Sequence, residues 1–150
     1  MEPHECDRLG LDVWLRILQF QHVISAQLED ALRETGLPLT WYEVLIRLRG
    51  EAPMRMQDLA SRLLVTQSGA TRLVQRLEQA GLVERNASPE DLRGRVVTLT
   101  PQGACAIEAA IPVFIAAVRR HIIDPCTKRE LATTHRVLGR LLEAHDVVPE

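Results

Sequence analysis

The chain has 150 residues, of which 46% are hydrophobic and 25% charged, with a formal net charge of −2. That size and apolar content suit one compact core, and no low-complexity tract, internal repeat or Gly/Ser linker argues for more than one domain. No run of about 18 apolar residues occurs, so no membrane span is expected, and the short acidic stretch from Met1 to Cys6 lacks the apolar centre of a signal peptide; a cytoplasmic protein is the expectation.

The first element is a helix over Leu9 to Arg33, closing near Thr35-Gly36. Trp14, Ile17, Leu18, Phe20, Ile24, Leu28 and Ala31 cover more than one stripe of it, a width that suits contact with both its own core and a partner. Thr40-Trp41-Tyr42-Glu43 has the pattern of a capping box and opens the next helix, with Trp41, Val44, Leu45 and Leu48 on its buried face. Met56, Leu59, Ala60, Leu63 and Leu64 then recur at helical spacing, and so do Ala70, Leu73, Val74 and Leu77 after a break at Val65 to Ser68. Thr66 suits an N-cap and Gly81 the left-handed stop. The outer face of this second helix carries Ser68, Thr71, Arg72, Gln75 and Gln79, with Arg76 at its edge, all able to donate to phosphates and base edges.

Leu82 to Arg85 and Arg95 to Leu99 read as short strands joined by a charged loop in which Pro89 and Gly94 are turn residues. An arginine at such a tip can enter a narrow minor groove. Asp91 stands two residues before Arg93 and suits a bidentate pair with it. A charged hairpin alone is ordinary on any surface; directly after a helix-turn-helix it points to DNA. Thr100-Pro101 opens the next helix with proline at its first position, and Pro112 inside that helix should kink or loosen it. Thr127 to Glu130 is a second capping box, and the last helix carries Leu131, Leu138, Leu141 and Leu142.

Charge follows the same division. From Arg47 to Arg95 nine arginines face six acids, whereas residues 1–46 hold three arginines against eight acids and residues 96–150 balance. The positive charge is concentrated where a nucleic acid would lie.

Leu59-Ala60, the run from Ser68-Gly69 through Thr71-Arg72-Leu73-Val74 to Arg76-Leu77-Glu78, Ala80-Gly81-Leu82-Val83-Glu84-Arg85, Asp91-x-Arg93-Gly94-Arg95 and Leu99-Thr100-Pro101-x-Gly103 together resemble the MarR family of bacterial transcriptional regulators. The resemblance implies a mainly α fold with a small β-hairpin wing: a winged helix-turn-helix lobe over about residues 38–100, flanked by dimerisation helices at about 7–35 and 101–147. It implies a homodimer, most simply a repressor, on a pseudo-palindromic double-stranded DNA operator. Thr66, Gln67, Ser68, Thr71, Arg72, Gln75 and Arg76 would meet the major groove and its phosphates. Arg93 would reach the minor groove with Asp91 orienting it, and Arg95 would assist. Family members commonly bind aromatic or phenolic effectors between the dimer helices and the DNA lobe, where Trp14, His22, Trp41 and Tyr42 would stand, although core packing accounts for each of these residues as well.

Other chemistries find less support. No phosphate-binding glycine loop, nucleophile elbow or His-Glu-x-x-His occurs, and His4, His22, His121, His135 and His145 are scattered. No enzymatic activity, cofactor or metal is expected. Cys6, Cys105 and Cys126 form no C-x-x-C pair. Cys6 lies between Glu5 and Asp7, an acidic setting that disfavours thiol reactivity, and Cys105 and Cys126 read as small buried residues. A thiol-sensing regulator and a winged-helix interaction module without DNA binding are the alternatives.

Overall fold

The computed structural model describes residues 3–50, 53–87, 95–145 and 147. Helix α1 runs Pro3–Leu32, starting before the expected Leu9, and passes through one tight turn, Arg33–Thr35, to Gly36. Helices α2 (Leu39–Arg49), α3 (Met56–Arg62) and α4 (Gln67–Gln79) follow, with strand β1 (Met54–Arg55) just before α3. Strands β2 (Val83–Ala87) and β3 (Arg95–Leu99), then helices α5 (Pro101–Val118) and α6 (Lys128–Glu143), complete the described chain. The architecture is the expected one, mainly helical with a small antiparallel sheet.

The sheet has three strands rather than two, in the order β1-β3-β2. Val83 pairs with Leu99, Arg85 with Val97 and Ala87 with Arg95, while Met54 and Arg55 add to the other edge of β3 opposite Val97 and Val96. Two residues of strand carry no periodicity of their own, which is why β1 escapes a reading by pattern.

Backbone contacts divide the chain into two units, residues 1–114 and 115–150. The core of the first is built by Leu32, Leu37, Val44, Leu45, Leu59, Val74, Leu77, Val83, Val97 and Ile107. Tyr42 joins it, its ring stacked on Phe114 with centroids 4.2 Å apart. Arg49 of α2 forms a two-bond ion pair with Glu108 of α5.

The wing's exit is fixed at one point. The Thr100 amide donates to the Leu82 carbonyl at 3.1 Å, the Thr100 hydroxyl donates to the Gly81 carbonyl at 2.6 Å, and the same hydroxyl accepts from the Gly103 amide at 3.0 Å. Gly81 has φ +74°, where a side chain is strained. At Gly103 the reason for glycine is space: a Cβ would stand 1.9 Å from the Leu82 carbonyl oxygen.

Three local expectations are corrected, and Pro112 lies inside a helix that continues past it. The Thr40–Glu43 capping box does not form; α2 begins at Leu39, after Pro38, and the Leu39 amide donates instead to the Glu29 carboxylate of α1 at 2.8 Å. Leu64 does not belong to the buried face of α3. That helix ends at Arg62 with Leu63 as its C-cap, and Leu64 is left-handed and 70% exposed. Helix α5 continues as α-helix through Pro112 to Val118. Pro112 and Glu108 are both exposed, so the carbonyl deprived of its partner lies on the outer side. Cys105 and Cys126 are exposed, because Cys105 faces away from buried Gly103 and Ile107 and Cys126 lies in the turn before α6.

In the second unit the end of α5 passes into a wider helical turn, Arg119–Ile123, and Thr127 opens α6 with the expected capping box. The Thr127 amide donates to the Glu130 carboxylate at 2.8 Å and the Glu130 amide to the Thr127 hydroxyl at 3.3 Å. Leu138, Leu141 and Leu142 are exposed. The span Pro101–Ile123 is long and apolar enough, by composition alone, to cross a membrane. Ile107 and Ala110 on it lie in the core, whereas Ile115 and Ile123 are exposed.

Candidate nucleic-acid interface

The site begins with how α4 is held. Ala70, Val74 and Leu77 are fully buried beneath it, which fixes the opposite face outward. Thr66 caps it: its hydroxyl accepts from the Gly69 amide at 3.1 Å and lies 3.1 Å from the Ser68 hydroxyl. The helix therefore opens at Gln67, three residues before the apolar repeat begins at Ala70. Gln67, Ser68, Arg72, Gln75, Arg76 and Gln79 are exposed along it and Thr71 is half-buried. The Thr71 hydroxyl proton is used on the Gln67 carbonyl at 2.8 Å, leaving that oxygen an acceptor.

Glu78 is the sole acid on α4. It is turned away from this face by Arg85 of β2, whose Nε and Nη2 reach one carboxylate oxygen at 3.0 and 2.5 Å. The Arg85 hydrogen bonds hold the Glu78 carboxyl below the usual carboxylate range, partial burial opposes them, and the charges of Arg85 and Arg95 add to the lowering. The pair ties α4 to β2. It also removes Arg85 from the cations available to a phosphate, which its charge alone does not reveal. Arg95 is exposed at the start of β3. Asp91 and Arg93, the other two wing positions, lie outside the described residues, as do Pro89 and Gly94.

The model of the MarR family matches residues 35–94 of this chain. An HTH-type transcriptional regulator of Bacillus cereus is 31% identical over 133 residues, covering 89% of this chain and 88% of its own. The solved structure of AbsC, a MarR family transcriptional regulator from Streptomyces coelicolor, superposes with a TM-score of 0.85 at 30% identity, covering 91% of this chain and 93% of that one. The chain belongs to the MarR family of transcriptional regulators. It is a regulator, not an enzyme. A further MarR family structure, Sco3205 from Streptomyces coelicolor in complex with DNA, is similar at a TM-score of 0.82 and 27% identity over 88% of each chain.

Within this MarR-family fold the four effector candidates separate. Trp14 and His22 are exposed on α1, and Trp41 is half-buried against the core. Tyr42 lies inside the core on Phe114, and burial pushes its phenol above the ordinary value against an opposing pull from Arg49. Its ring therefore serves packing. Among the described residues no cluster of three or more His, Cys, Asp or Glu could hold a metal ion.

Proposed function

We propose that this chain is a homodimeric repressor that binds a pseudo-palindromic duplex operator, with α4 of each subunit in the major groove. The observation that carries this reading is the outward face of α4. Ser68, Arg72, Gln75 and Arg76 stand exposed along it, and its one acid is taken up by Arg85. Arginine forks there suit guanine edges and phosphates. Arg93, with Asp91 two residues before it, and Arg95 are assigned to the minor groove and its walls. A two-fold axis would set the two recognition helices about 34–36 Å apart, one helical turn of DNA. A small aromatic or phenolic effector acting at the exposed Trp14–His22 side of α1 and the edge of Trp41 would lower DNA affinity by preferring a dimer whose lobes are wrongly spaced.

The test is a mobility-shift titration against DNA upstream of the chain's own gene, at two salt concentrations with non-specific competitor. Competitor-resistant binding that weakens steeply with salt is expected, and Arg72→Ala should weaken it about tenfold or more. Weak binding indifferent to sequence, in this DNA and in a random-sequence selection, would favour the interaction module instead. The exposure of all three cysteines supports a second reading, a thiol-based regulator. DNA affinity unchanged by peroxide, and by serine at Cys6, Cys105 and Cys126, would remove it.

A further inference from the structure

Leu64 is the only residue other than glycine with a positive φ among the described residues, at 54°. It occupies the left-handed position that ends α3: the Leu64 amide donates to the Ser61 carbonyl and the Val65 amide to the Ala60 carbonyl, each at 3.1 Å. Glycine or asparagine fills such a position without strain. Leucine strains the backbone there, and burial does not compensate, because Leu64 is 70% exposed, the most of any large apolar side chain described.

Val65 beside it is also exposed, and its Cβ and Cγ2 lie 3.7 and 3.9 Å from where a Gly69 side chain would begin. Val65 therefore sits over the first turn of α4, on the edge that continues through Gly69 to Arg72 and Arg76. The two side chains form an apolar corner at the leading end of an otherwise polar and cationic strip. Among the base edges of a major groove, the one apolar group on offer is the thymine C5-methyl.

Building on the DNA-binding reading above, we propose that Leu64, with Val65 beside it, contacts a thymine C5-methyl group in each half-site and so adds a specificity determinant to the polar face of α4. Backbone strain of this kind clusters at ligand-contacting sites.

The experiment uses the full chain and the tightest duplex recovered by random-sequence selection. Each thymine of that duplex is replaced in turn by deoxyuridine, which pairs identically and lacks the methyl. For the unaltered chain, one thymine per half-site should show a loss of about three- to fivefold, the effect of one methyl-sized apolar contact. In Leu64→Gly and Leu64→Asn, both suited to the backbone, the same replacement should have no effect. A thermal midpoint for Leu64→Gly at or above that of the unaltered chain establishes that the fold is intact. Uniform tolerance of uracil by the unaltered chain, or undiminished sensitivity in both variants, overturns the inference alone. A selection that enriches no duplex overturns the sequence-specific reading and this inference with it.

Discussion

At Gly103 a single hydrogen decides whether the wing and α5 can meet, since anything larger collides with the Leu82 carbonyl. Gly103→Ala is expected to cost about 3 kcal/mol, the upper range for overpacking a tight site, seen as a fall of several degrees in the midpoint of circular-dichroism melting. The Glu78–Arg85 pair makes a different prediction. Because the folded carboxyl lies below its ordinary value of 4.5, its stabilisation is present above that value and is lost as pH falls through the lower folded value. Glu78→Gln should therefore melt earlier than the unaltered chain at neutral pH, with the gap closing below about pH 4.5; a gap constant from pH 7 to pH 3 would refute the assignment. At this scale the sequence was only partly legible. The motif that contains Gly103 was visible, but not the carbonyl it rests against. Arg85 read as one cation of nine, although its charge is committed to Glu78.

Helix ends show what local pattern can and cannot reveal. Thr127 and Glu130 satisfy one another within four residues, so their capping box was legible and formed. Thr127→Ala should cost about 1 kcal/mol, measurable in chemical denaturation, and Thr127→Ser should restore most of it. Thr40 and Glu43 have the same spacing, but the chain enters α2 earlier, where the Glu29 carboxylate meets the Leu39 amide from ten residues away. A bond from the preceding helix stands where the local one was expected, and the four-residue capping pattern does not contain it. Helix α4 was legible because its buried triad Ala70, Val74 and Leu77 repeats at helical spacing and both its ends carry their expected residues, Thr66 and Gly81. Strand β1 was not, since it exists only by pairing with Val96 and Val97 more than forty residues later.

Across the whole molecule, the described part of α1 stays exposed from Glu5 to Val23, including Leu11, Trp14, Phe20 and Val23. An apolar surface of that extent marks an interaction site, and the proposed homodimer would cover it. Phe20→Glu combined with Leu11→Glu should shift the chain toward monomer in sedimentation at micromolar concentration, and should weaken operator binding because two linked half-sites become one. The same surface makes the protein its own optical probe. Its two tryptophans occupy contrasting surroundings, Trp14 on the open side of α1 and Trp41 against the core. Dilution through the dissociation range of the proposed dimer should move Trp14 emission to longer wavelength while Trp41 holds its position until the fold melts. In a Trp41→Phe variant, that red shift alone would report assembly, and every later ligand or oligonucleotide could be followed by light without attaching a dye.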